Sequence, residues 1–374
     1  MNRLLTLIVL LVTTAHAWSA GEYAHGFAGG TGTEADPYQI ATLTHLSNLA
    51  FWSQQSTDFG GTYFVMTADI SFSGFDSYNM VWGIGFGNRQ FNGSFDGQGH
   101  KLMDVTTASP MFIYVGQHGV VKNLTIDGVT AKGGAMLIYE TGPLADHVAG
   151  LVENCHVTGI SHDYASTGQT NYASGMVGYL TQTGVVRDCS TSGSATVACG
   201  YGGIVGKNYS GLVTGCRSDM VITIARGSIA VGGIGGLAQS YNNGATPNFE
   251  NCEFVGQIKQ RQLYDGNKAG GICGDGTVVN ITRCVNRGTL ISTGFSGGIA
   301  GVTSGSSRLS ECYNMGLLQD FFMSQGERTA SYGMSDYVAG IAGQISGGTI
   351  ERCFNGGTLQ SVRGAGGLIG SVGS

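Results

Sequence analysis

The sequence is poor in proline, in charge and in long apolar runs. Only 4 of 374 residues are proline and 11% are charged. Globular chains usually carry about 25% charge. The helix formers Glu, Lys, Ala and Leu are sparse, which argues against a helical bundle. The formal net charge is −6 and no basic stripe occurs, so nucleic-acid binding has no electrostatic support. Beyond the first residues, no apolar stretch is long enough to span a bilayer as a helix. What the chain has instead is glycine, at 65 residues, with 42% apolar residues to build a core. A glycine-rich chain with Thr, Ser and Asn suggests many short strands joined by tight turns.

The opening "MNRLLTLIVLLVTTAHAWSAG" has one early Arg, the apolar stretch Leu4–Val12 and a small-x-small site, "AHA". It reads as a secretory signal peptide over 1–17, cut after Ala17. The apolar run is too short for a membrane anchor. No cysteine follows the cut, so no lipid anchor is expected. Cleavage removes only Arg3 among charged groups, taking the formal charge from −6 to −7. The expected product is secreted or held at the cell surface, without membrane insertion. Residues 18–144 form an entry region, and 145–374 form a repeat.

The repeat begins with a word of the form small-Gly-apolar-x-Gly. It occurs as "SGMVG" from Ser174, "GGIVG" from Gly202, "GGIGG" from Gly232, "GGICG" from Gly270, "GGIAG" from Gly297, "AGIAG" from Ala339 and "GGLIG" from Gly366. After six of these comes a segment ending in cysteine: "VRDC", "VTGC", "FENC", "ITRC", "LSEC" and "IERC". "VENC" supplies a seventh cysteine, behind a weak "AGLV". A glycine usually follows four residues later, and Asn286, Asn314 and Asn355 each lie two residues past a cysteine. The tightest period is about 27 residues, and longer copies differ mainly in their loops. That is the behaviour of a solenoid. Amphipathic helices do not fit between these glycines, whereas four- to six-residue runs of Val, Ile, Thr and Tyr do. The expected fold is all-β, a right-handed parallel β-helix with three short strands per coil and a short capping helix. Roughly seven to eleven coils at about 4.8 Å each give a rod about 35–55 Å long. Glycine is expected to turn corners with positive φ and to admit close approach between coils.

These words, with "IERCFNGG", resemble the GLUG repeat of secreted and surface proteins of bacteria. That repeat occurs in the non-catalytic part of some IgA-protease-type metallopeptidases. The resemblance covers residues 145–374. "FAGGTGTEADPYQIATLTHLSNLA", "YFVMTADISFSG" and "FNGSFDGQGHKL" resemble the entry module that often precedes such repeats. There, Thr42 is placed to N-cap a helix that carries Leu43, Leu46, Leu49 and Ala50 on one face.

Motifs for chemistry are scarce. The glycine words recur seven times, none with the G-K-[ST] ending of a phosphate loop. Seven cysteines share one phase: Cys155, Cys189, Cys216, Cys252, Cys284, Cys312 and Cys353. They are expected to stack about 5 Å apart. Parallel inward neighbours do not readily adopt a χ₃ of about 90°, so a mostly reduced, buried ladder is expected. Cys199 and Cys273 lie outside the phase and read as odd core residues or one bridge. There is no C-x-x-C and no H-E-x-x-H, and all eight His precede residue 163. No metal or cofactor is expected, and peptidase activity is not carried over from the resemblance. His100, in "FDGQGHKL", reads as structural.

The leading expectation is a non-catalytic binding stalk of adhesin type. Its partner would be a host or bacterial glycan or a surface protein. A polysaccharide-degrading β-helix enzyme, lyase or glycoside hydrolase, is the alternative. It would need carboxylates that meet across coils, from a set scattered as Asp96, Asp104, Asp127, Asp146, Asp163 and Asp188. An inert spacer is the third reading. Binding is expected in the longest loop, around Phe321, Phe322, Tyr332 and Tyr337, where aromatic and charged residues mix. "SYNNGATPNFEN" is a second candidate. The last glycine word has no cysteine segment after it, which suggests part of a longer chain.

Overall fold

The computed structural model describes residues 26–373, apart from 56–58, 75–82, 86–88, 107–108, 133–139, 166–171, 228, 241–243, 265 and 327–336. The signal-peptide expectation lies outside the described residues. The chain winds into a parallel β-helix with four faces. One coil shows the plan: Gly200–Gly202 on face I, Val205–Asn208 on face II, Leu212–Thr214 on face III and Arg217–Ile224 on face IV. Each strand pairs in parallel with its counterparts one coil before and one coil after, as Val205 does with Val177 and Gly235. Faces I, II and III carry 8, 9 and 11 strands. Face IV carries 15, because several of its rungs break into two short strands, such as Glu253–Phe254 and Gln257–Gln260. Eleven rungs at about 4.8 Å make face III roughly 50 Å long.

The expectation of three strands per coil is corrected to four. The glycine word is a corner and not one strand. Gly202 ends face I, while Val205 and Gly206 begin face II. Of the two roles expected for glycine, close approach between coils holds, and the positive-φ corner is corrected for the glycine words. No glycine of these words has positive φ. The left-handed residue sits at the corner between faces III and IV, immediately before each cysteine: Asn154, Asp188, Gly215, Asn251, Arg283, Glu311 and Arg352, all with φ between 49° and 65°. In the word, glycine acts through contact. A Cβ on Gly203, Gly233, Gly271 or Gly298 would lie 2.0–2.2 Å from the carbonyl oxygen of the same glycine one coil on. Each also faces the side chain two residues past its own coil's cysteine: Ser218, Phe254, Asn286 and Asn314.

The interior is a continuous apolar column. In the coil shown it holds Val205, Val213, Cys216, Met220, Ile222 and Ile224, all within 1% of full burial. At the amino-terminal end the helix Leu43–Ser53 lies between the first two strands of face III. Thr42 caps it, its side chain accepting from the His45 N–H at 3.3 Å. Leu46 and Leu49 are fully buried. Trp52, Phe59, Phe64 and Phe91 continue the packing as a chain of rings 5.2–5.8 Å apart, so this end of the core is covered.

Candidate functional site

The first four strands of face II bury their first and fourth residues and turn the third outward. Phe112 and Val115 are buried, as are Ala145 and Val148, Val177 and Leu180, and Val205 and Asn208. The outward position is therefore shared by Tyr114, His147, Tyr179 and Lys207, one per rung, in direct register. Their spacing follows from the β-helix itself. Tyr114 stacks on His147 with ring centroids 5.5 Å apart and planes 6° from parallel. His147 meets Tyr179 at 5.0 Å and 36°. Tyr209, two residues past Lys207, turns back to stack on Tyr179 at 5.6 Å and 26°. The Lys207 ammonium lies 5.7 Å from the Tyr179 ring centre and 5.2 Å from that of Tyr209, within cation–π range.

The strip ends at Leu237, the next residue in register. Beside it opens a groove of about 360 Å³, walled by the four aromatic rings on one side and by Thr181, Gln182 and Thr183 of the next corner on the other. Among the described residues no carboxylate lines it. Burial pushes the Tyr114 phenol above its ordinary value, so it stays a hydrogen-bond donor through neutral pH.

The residues expected from sequence do not form one site. Phe321 and Phe322 fall in a short helix, Phe321–Ser324, capped by Asp320, whose Oδ1 accepts from the Met323 N–H at 2.7 Å. Phe322 is buried there. Tyr337 lies on face I and stacks on Phe295 at 5.4 Å and 3°. Tyr332 lies outside the described residues, as does Tyr241 of the second loop.

The seven in-phase cysteines occupy the corner between faces III and IV, one per coil, and all but Cys353 are fully buried. Leu124 fills the same position one coil earlier. All nine cysteines are free thiols. Each column thiol donates to a carbonyl two residues back and to one in the preceding coil, as Cys312 does to Ser310 and Ile281 at 3.3 and 3.4 Å. Burial pushes the Cys155, Cys216 and Cys284 thiols well above their ordinary range. Cys199 and Cys273 are buried core residues, and burial raises Cys273 also. Raised in this way, Cys155, Cys216, Cys273 and Cys284 are poor nucleophiles and poor metal ligands.

Of the acidic residues, Asp104 and Asp127 are neighbours across coils, the Asp104 N–H donating to the Asp127 carbonyl oxygen at 2.9 Å. Asp96 and Asp127 face Lys122 and Lys101 at 3.4 and 3.7 Å, and Asp104 accepts from Ser71. Asp146 is interior, Asp163 sits on face IV and Asp188 at a corner. His100 pairs with Asp69 at 3.1 Å. Among the described residues no group of three His, Cys, Asp or Glu is placed to hold a metal. A second titratable group is enclosed: His162 approaches the Tyr201 hydroxyl at 3.2 Å and packs on Tyr164 at 5.1 Å. Burial pulls its imidazole down to about 3.

The face II strip was legible in principle. Tyr179 and Lys207 directly follow the last glycine of their words, and His147 takes the same place behind Asp146. That offset, read along the repeat, is the signal.

No family model matches the chain. It is 29% identical over 141 residues to a "Putative Gly-rich membrane protein" of Evansella cellulosilytica. The match covers 35% of this chain and spans only 15% of that protein's length. Among solved structures, the chain resembles the crystal structure of "a putative immunoglobulin A1 protease from Bacteroides ovatus", with a TM-score of 0.52 and 18% identity. That likeness covers 90% of this chain and 87% of the other and speaks to the fold alone. Among the described residues no helix is long and apolar enough to cross a membrane.

Proposed function

We propose that this is a secreted or cell-surface, non-catalytic β-helix of the GLUG-repeat type, and that it binds a glycan along face II. The aromatic strip carries this reading. Three rings and a lysine stand in register on an outer face, with Tyr209 stacked beside them, next to a groove of about 360 Å³. Building that row costs exposed aromatic surface, which a spacer has no need to present. Among the described residues no carboxylate lines the groove, and the neighbouring Asp104 and Asp127 lie away from it, which favours binding over bond cleavage.

A glycan array probed with the intact chain and with Tyr179→Ala tests the proposal. Binding by the parent, lost or weakened about tenfold in the variant, is the expected result. Undiminished binding by Tyr179→Ala removes face II from consideration. Release of reducing ends or of unsaturated uronides from a bound glycan would establish the enzyme reading instead.

A further inference from the structure

We infer that the glycan held by face II is an extended, equatorially linked pyranose chain lying lengthwise along the rod, one sugar to a rung, with the corner at Thr181 and Gln182 as its side wall. This rests on face II being the binding surface. Three observations carry the path and the ligand class.

The first is the direction of the ring row. Tyr114, His147 and Tyr179 stand one coil apart, in direct register. Tyr209 continues the row beyond Tyr179. The row therefore runs along the axis of the β-helix and crosses its strands. A ligand laid along one strand would meet a single ring, whereas one laid along the axis meets all four.

The second is the spacing. Rungs recur about every 4.8 Å, and the ring centroids lie 5.5, 5.0 and 5.6 Å apart. An extended, equatorially linked chain advances by about the same length per sugar. Each added sugar then meets the next ring, whichever of its own faces is turned down. An axially linked chain coils and leaves a straight row after a few sugars. The rings stack on one another, so what lies along the row is their edges. An aromatic edge carries the positive end of the ring quadrupole, and sugar oxygens suit it.

The third is the wall. The corner from face II to face III spans residues 116–119 in the Tyr114 coil and 181–184 in the Tyr179 coil, but only 149–150 in the His147 coil between them. This short corner is packed tight: a Cβ on Gly150 would lie 2.2 and 2.3 Å from the carbonyl oxygens of Gly119 and Gly116. The longer corner of the Tyr179 coil reaches back to it, and the Thr183 hydroxyl donates to the Ala149 carbonyl oxygen at 2.8 Å. Gln182 and Thr183 are exposed at this corner. With Thr181 they line the groove together with the rings. Hydroxyls and an amide supply both donors and acceptors, the chemistry that sugar hydroxyls require. Because the wall stands beside the row and not across it, it directs a chain along the axis.

Cello- and manno-oligosaccharides of graded length, as extended probes, and malto-oligosaccharides, as a coiled one, should be titrated against the intact chain by calorimetry. Affinity for an extended series is expected to climb sugar by sugar to about four, one for each ring, and then to level. The malto series should bind at least about tenfold more weakly. Tyr114→Ala removes the end ring, so levelling should come one sugar sooner. Gln182→Ala should keep the levelling point and weaken every length by about three- to tenfold. Circular dichroism confirms that both variants fold. Equal binding of the malto series overturns the extended class. A single sugar that binds as well as the longest chain overturns the lengthwise path and leaves face II as a one-sugar site. A levelling point unmoved in Tyr114→Ala overturns the match of sugar to rung. Unchanged affinity in Gln182→Ala overturns the wall. No binding of any series overturns the inference, while array binding abolished by Tyr179→Ala would leave face II standing as a glycan surface.

Discussion

The glycine word separates its glycines by what each one touches. At the second position all seven copies have glycine, and a Cβ on Gly298 would lie 2.2 Å from the carbonyl oxygen of Gly340 in the next coil. Relieving that contact means moving two rungs apart and stretching hydrogen bonds on both. At the first position a Cβ on Gly297 would lie 1.9 Å from the carbonyl oxygen of Ala300, three residues on, and 2.6 Å from the nitrogen of Gly343 in the next coil. Ser174 and Ala339 occupy this place in other copies, so small adjustments of the turn suffice there. Gly298→Ala is expected to cost about 2–3 kcal/mol, and Gly297→Ala less, since its place accepts Ser and Ala in sister coils. Urea titration of the two variants checks the difference.

The buried imidazole of His162 gives a pH signature. It is held neutral, with its pKa lowered from 6.5 to about 3. The unfolded chain takes up this proton near pH 6.5 and the folded chain only near 3. Its stabilising effect is complete above about pH 6.5 and fades as pH falls toward 3. The slope contributed is at most about 1.4 kcal/mol per pH unit. His162→Gln should flatten the fall in stability across that window. An unchanged slope would show that other groups govern acid unfolding.

At the scale of elements, the corner between faces III and IV is the best-specified part of the coil. A left-handed residue turns the chain, the cysteine points inward, and two residues later a side chain fills the space above the word's second glycine. In three coils that filler is asparagine. Asn286 donates to Asn314 at 2.7 Å and Asn314 to Asn355 at 2.8 Å. Asn286 and Asn314 also accept from the N–H of Gly288 and Gly316, their own coils' post-cysteine glycines. Asn314 is fully buried. Asn314→Leu would strand an amide donor, an amide acceptor and a backbone N–H in the core. The expected loss is about 2–4 kcal/mol, against about 1 kcal/mol or less for the exposed neighbour Tyr313→Leu. Chemical denaturation of both variants measures it.

Much of this was readable from sequence. Spacing of glycine and cysteine words identified the solenoid, the strands and the inward phase of seven thiols. Thr42 and the leucines behind it identified the helix. The number of faces was not readable, because a word that looks like one strand is divided by a corner no residue type marks. Nor was the site. Charged and aromatic residues mixed in one long loop drew attention to Phe321, Phe322, Tyr332 and Tyr337. The structure buries Phe322 in a helix turn and stacks Tyr337 on Phe295. Tyr114, His147, Tyr179 and Lys207 are separated by some thirty residues each in the chain and meet only because coils stack. Neighbours across coils follow from register, and register follows from knowing where each word bends.

At the scale of the whole molecule, each coil touches mainly the coils on either side, as solenoids do. The outer faces are then free to differ along the rod. Faces III and IV carry inter-coil ion pairs such as Glu153 with Arg187, Glu253 with Arg287 and Glu311 with Arg352. Face I carries the stacked pair Phe295 and Tyr337, and face II gathers aromatic residues over three successive rungs beside a groove. The account as a whole therefore rests on where a ligand lies on this rod. Hydroxyl-radical footprinting of the intact chain, with and without an extended oligosaccharide of the cello or manno series, locates it directly. Protection confined to Tyr114, His147, Tyr179 and Tyr209, with Tyr313, Tyr337 and Phe354 unchanged, is the predicted result. Protection centred on Phe321 and Tyr337, or on the exposed Tyr313 and Phe354, with the face II rings still reactive, would contradict it.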